Sequence, residues 1–166
     1  MSRISPIIEQ IKTARTYTES FLDGLQPEDW FRQPSEGVTH IAWQFGHLGA
    51  AEYFLTLNRI RGPKPEDAEL IPETFLKQFG KGSVPEVDPA GYPSVEEIRG
   101  TVQSVHNRAL QELEQLSEMV LDEAVDIPHP MFSTKYHALT FCSLHEMLHA
   151  GQIGLLRRLL GNAPLR

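Results

Sequence analysis

Leu144-His145-Glu146-Met147-Leu148-His149-Ala150-Gly151-Gln152-Ile153 lies in a segment with no proline between Lys135 and Ala163. That segment fits one long helix, from about Lys135 to Leu160, closed by Gly161-Asn162. On such a helix His145 and His149 share a face, about one turn apart. Neutral imidazole is a common ligand for zinc and similar metals, and an i, i+4 pair can chelate one ion. Two nitrogens do not complete a site, so another element must supply a third.

Toward the N-terminus, Ile4, Ile7, Ile8, Ile11, Ala14, Thr18, Phe21, Leu22 and Leu25 recur every three or four residues, the pattern of an amphipathic helix ending near Gly24 and Pro27. A connection through Pro34 and Gly37 leads to a second helix from about His40 to Arg61. Thr39 is its expected N-cap and Gly62-Pro63 its stop. Residues 62–93 are rich in proline and glycine and form a long crossover, with a short helix expected at Glu73–Phe79. Ser94-Val95-Glu96-Glu97 is a capping box that starts a third helix, running to about Ser117. An irregular stretch with Asp126, Pro128, His129 and Pro130 precedes the last helix, and no useful period-2 alternation appears. The expected fold is all-α: a four-helix bundle, one domain over 1–166, with the crossover between helices two and three.

The 166 residues can bury a real core. A formal charge of -7 without a basic run argues against nucleic acid and against an anionic membrane surface. No apolar run is long enough to span a bilayer, and the N-terminus lacks a continuous apolar signal region. One cysteine, Cys142, permits no internal disulfide. A soluble cytoplasmic protein is expected.

In a bundle, metal sites are built from inward-facing side chains on adjacent helices. His47 falls on the apolar face of the second helix, among Trp43, Leu48, Ala51 and Phe54. With His145 and His149 it could give three ligands from two helices and leave one position open, the pattern of a catalytic zinc site. The ordinary alternative for each is a hydrogen-bonded core histidine. His40 and His106 stay open as ligands or supporting residues, Cys142 as a ligand or a small buried apolar residue, and His129 and His137 as loop and helix-start residues. Gln152 could orient a ligand or merely pack; Trp43 could line a pocket or fill the core; Glu52 could support a histidine or face solvent.

His145-Glu146-x-x-His149 also matches the zincin signature, in which the glutamate is the general base. Only Ala150–Arg166 come after it, with no His, Asp or Glu, and Leu155 stands where the extended metzincin pattern needs histidine. A metal-dependent hydrolase using Glu146 stays open, but neither protease completion fits.

Trp43-Gln44-Phe45-Gly46-His47-Leu48 with Glu52 resembles the first metal-binding motif of the DinB/YfiT superfamily. His145 to Ile153 followed by Leu156-Arg157-Arg158 resembles the second. Their order and helix placement agree, and the resemblance covers most of the chain. It implies an up-down-down-up bundle, often a homodimer, with a divalent metal (zinc or nickel foremost) on His47, His145 and His149. It also implies a transferase joining a low-molecular-weight thiol, such as bacillithiol or mycothiol, to a small electrophile. A non-catalytic metal-binding bundle is the alternative from another class.

Overall fold

The structure, a computed structural model, describes residues 2–86 and 88–165. It is mostly helical. Helix α1 (Ile4–Ser20) buries Ile4, Ile7, Ile8, Ile11, Ala14, Arg15 and Thr18, the predicted face as far as Thr18 with one arginine added. It closes at Ser20, before the expected end near Gly24, and Phe21 and Leu22 follow in a turn. The second helical arm is α2 (Ile41–Glu52), continued without a break by a π-helical segment (Tyr53–Asn58) and a last turn, α3 (Arg59–Arg61). Gly62, at φ 81°, ends it in a conformation that disfavours a β-carbon. The N-cap is His40 rather than Thr39. Its Nδ1 accepts from the Trp43 backbone N–H at 3.0 Å, as a shorter polar side chain would at that position.

The π segment has a local cause. Thr56 Oγ1 donates to the Glu52 carbonyl at 2.7 Å and so competes for an acceptor that the regular helix would use. Within the crossover lie α4 (Asp67–Leu70) and α5 (Glu73–Phe79), the latter at the span the sequence predicts. Helix α6 (Val95–Glu114) starts at the Ser94–Glu97 capping box, with both reciprocal bonds formed. It stops three residues before the expected Ser117.

The expectation of no strands is corrected. Strands β1 (Ala124–His129) and β2 (Phe132–Thr134) pair antiparallel across the Pro130-Met131 turn. They are too short, and their register too irregular, for alternation to show in the sequence. Helix α7 (Lys135–Leu159) begins at once, capped by Thr134 Oγ1, which accepts from His137 N–H.

The long helices pack in a closed circuit, α1 on α7, α7 on α2, α2 on α6 and α6 on α1. One apolar cluster gathers Phe45, Leu57, Phe79, Val102 and Ile153; a second gathers Ile4, Ile11, Leu113, Leu121 and Leu139. On α1 and α7 the break between them falls at Arg15 and Glu146, both buried. Arg15 donates Nε to Glu146 Oε1 at 2.9 Å, and Nη2 to Glu146 Oε2 and Glu52 Oε2 at 3.0 Å each. Glu52 Oε1 also meets His106 Nδ1 at 2.8 Å. Burial opposes the Arg15 charge, but the Glu146 and Glu52 carboxylates outweigh it and raise its pKa. Buried charges persist only when paired in this way. Among the described residues no helix is long and apolar enough to cross a membrane.

Candidate metal centre

Helix α2 carries His47 and helix α7 carries His145 and His149, and the α2–α7 contact brings the three together. One ring nitrogen of each lies within 4.8 Å of the others, a cluster that could hold a metal ion. The ring centroids are 5.2 Å apart for His47 and His145, 4.8 Å for His47 and His149, and 4.5 Å for His145 and His149. His47 and His149 are buried and His145 is half-buried.

Two of the rings are held by their Nδ1 atoms. His47 Nδ1 donates to the Phe79 carbonyl at 2.7 Å, which fixes the tautomer because a carbonyl only accepts. His149 Nδ1 is bonded to Gln44 Oε1 on α2. Each bond leaves Nε2 with its lone pair for a cation, the usual arrangement behind a metal-ligating histidine. Trp43 stacks on His47 with centroids 4.9 Å apart and planes 5° from parallel, and its indole N–H donates to Ser83 Oγ at 2.9 Å. Trp43 therefore stacks on the His47 ring while packing, half-buried, against the adjoining apolar cluster.

The contact with Phe79 depends on Gly46. A β-carbon at that position would lie 2.6 Å from Phe79 Cγ, well inside van der Waals contact. The glycine lets α5 lie directly on the backbone of α2, so that its last carbonyl reaches the neighbouring histidine.

Burial keeps these imidazoles neutral. It lowers the His47 pKa against the Phe79 bond, and lowers His145 to about 4, with His47 and His129 adding to the effect. His149 falls to about 3, by burial and then by His145 and His47, with Gln152 offsetting a part. Three neutral, converging nitrogens fit a divalent cation of the zinc type.

The remaining candidates fall elsewhere. Glu52 is buried, not solvated, and its partners are Arg15 and His106 rather than the three histidines. Glu146 is buried with both oxygens on Arg15, which leaves it poorly disposed to act as a base. His106 belongs to that charged layer. Cys142 is buried beside the same groups; burial, then Glu52 and Glu146, push its thiol pKa up, so it stays protonated. Gln152 is exposed. Gln44, three residues before His47 and buried, is the supporting residue that sequence reasoning missed. Its only signal was a polar residue on an otherwise apolar face.

A cavity of about 410 Å³ opens beside the cluster, lined by His47 and His145 together with Ala50, Ala51, Phe54, Leu55, Ile127 and Phe141. Arg59, Gly80, Lys81 and His129 complete its wall. His129, expected in a loop, stands at the end of β1 and so reaches this wall. The size suits a small ligand.

Comparison with known proteins bears on the family and the fold. The sequence model of the family described as the DinB superfamily matches residues 10–153. A conserved protein from Enterococcus faecalis, known from its crystal structure, has a similar fold, with a TM-score of 0.71 at 15% identity. The likeness covers 96% of this chain and 97% of that one. No curated protein matches the sequence.

Proposed function

The chain belongs to the DinB superfamily, and from that membership we propose that it is a metal-dependent transferase joining a low-molecular-weight thiol to a small electrophile. The metal, zinc or nickel, is held by His47, His145 and His149. The observation that carries this reading is the three-histidine cluster, two of its rings locked by Nδ1 bonds, at the wall of an apolar cavity. Structural zinc sites are closed by four protein ligands, whereas this cluster offers three, which favours an exchangeable position and catalysis over a purely structural metal.

A divalent cation there favours a thiolate over a thiol, and thereby supplies a nucleophile at neutral pH. The protein's own part is positional. Phe79, Gln44 and Trp43 hold the imidazoles, while Phe54, Leu55 and Phe141 give the electrophile an apolar, water-poor wall. The engagement of Glu146 by Arg15 argues against the hydrolytic alternative, which needs that carboxylate as base.

The same membership supports an up-down-down-up four-helix bundle forming one cytoplasmic domain over 1–166, and the circuit of helix contacts is consistent with it. Leu144, Leu148, Leu155 and Leu159 share one side of α7 by helical spacing and are about half exposed or more, which supports a homodimer through that face. Light scattering should give twice 18.8 kDa, and Leu148→Glu should halve it; a monomeric wild type refutes the dimer.

The transferase is tested with zinc- or nickel-loaded protein, a bromobimane electrophile and a panel of thiols including bacillithiol and mycothiol. Adduct formation that needs both metal and one particular thiol, and is lost in His149→Ala, is expected. Stoichiometric metal without acceleration for any thiol overturns the transferase and leaves a metal-binding bundle.

A further inference from the structure

The cavity beside the histidines has an unbalanced charge. The chain carries 22 acidic against 15 basic residues, yet the cavity wall contains Arg59 and Lys81 and no carboxylate. Among the other buried or half-buried arginines of the described residues, Arg15 pairs with Glu52 and Glu146, Arg61 pairs with Asp67 and Glu112, and Arg157 is satisfied by the carbonyls of Phe21, Asp23 and Ala163. Among the described residues Arg59 has no such partner. Its Nε is buried without a hydrogen-bond partner, and its guanidinium lies 5.4 Å from the centre of the Phe132 ring. A half-buried guanidinium whose Nε is buried and unpaired at an apolar wall stands to gain from an anionic partner.

The helix is also shaped to bring Arg59 there. In a regular α-helix, a residue twelve positions after His47 would point about 120° away from it. The π segment Tyr53–Asn58 adds about one residue to a turn, which rotates the succeeding turn back by about 100°. Arg59 thereby returns to nearly the face of His47, and both line the cavity. The irregularity in the helix is what makes a cationic group and the histidine cluster share one chamber.

We propose that this cavity selects a small organic anion: an apolar body against Phe54 and Phe141, and a carboxylate on Arg59 with Lys81 at its edge. This names the substrate class for the site proposed above and rests on that reading only for the reaction, since anion binding by Arg59 needs no metal. Arg59 forms a planar fork that suits a carboxylate, and desolvation strengthens the pairing.

The test uses metal-free protein and two matched probes, phenylacetate and its neutral amide, phenylacetamide, titrated while backbone amide resonances are monitored. Phenylacetate should bind at least about tenfold tighter than the amide, with shifts concentrated at Ala51, Phe54, Gly80 and Ile127. Arg59→Gln should reduce the preference to less than about twofold, and Arg59→Lys should retain part of it. Equal binding of the two probes by the wild type, shifts located elsewhere, or full preference in Arg59→Gln would overturn the proposal. Zinc stoichiometry of Arg59→Gln, measured in parallel, should equal that of the wild type. A failure of the anion site is thus distinguishable from a failure of the metal site.

Discussion

Gly46→Ala adds one methyl group to α2 at the point where α5 lies on it. The new carbon would sit 2.6 Å from Phe79 Cγ and 2.7 Å from Cε1, whereas carbon atoms rest at about 3.5–4.0 Å, so the ring must retreat by about 1 Å. Phe79 is fully buried and its ring packs on Phe75 and Tyr92, at centroid distances of 4.5 and 5.5 Å, so the retreat is resisted. Overpacking of this kind costs about 1–3 kcal/mol, and the better helix propensity of alanine returns about 1 kcal/mol at most. A net loss of up to about 2 kcal/mol is expected in urea denaturation of the metal-free protein.

The second effect is specific to the site. The His47–Phe79 bond is 2.7 Å long, and where the tightly packed ring carries the α5 backbone with it, a shift of about 1 Å takes the Phe79 carbonyl beyond hydrogen-bonding distance. Loss of such support typically weakens metal binding by about 10–100-fold. Competition with a chromophoric zinc chelator measures it. Zinc affinity within twofold of the wild type, in a variant with the expected loss of stability, would refute the claim that Phe79 orients His47.

Two further perturbations address the core and its titration. Arg15→Met strips two buried carboxylates of their cation and should destabilise by about 3–5 kcal/mol in urea; a loss below about 1 kcal/mol would mean that Glu52 and Glu146 are adequately satisfied without it. His40 is fully buried, and its pKa falls from 6.5 to about 4 chiefly by desolvation, so below pH 6.5 the unfolded chain takes up a proton that the folded one refuses. Stability should therefore fall between pH 6.5 and 4, by about 2 kcal/mol at pH 5 from this residue alone. His40→Asn, which keeps an N-cap, should be less acid-sensitive by that amount, and identical pH profiles would refute the assignment.

The parts of the molecule that were legible in the sequence are those governed by neighbours in the chain. Isoleucine spacing in α1, the Ser94–Glu97 box of α6, the Glu73–Phe79 helix and the proline-free run of α7 are all local signals, and each element starts where its pattern puts it, although α1 closes at Ser20 and α6 at Glu114, short of their expected ends. The three histidines were legible because two of them share a helix face and the third lies on a face equally apolar. The hidden features depend on distant partners or on single hydrogen bonds. Arg15 meets Glu52 37 positions away and Glu146 131 positions away, so no local pattern could turn Glu52 inward. The Thr56 hydroxyl that disturbs α2 leaves no mark on hydropathy, and three residues of β2 are too few to alternate visibly. Gln44 was legible only as a polar residue on an apolar face, because its partner His149 lies 105 positions away.

The most direct measurement is the metal content of tag-free protein after reconstitution with zinc or nickel and removal of excess ion, for the wild type, His47→Ala and His106→Ala. One ion per wild-type chain, lost in His47→Ala and kept in His106→Ala, is the predicted result. No bound metal in the wild type, or full retention in His47→Ala, would contradict a centre built from α2 and α7 together.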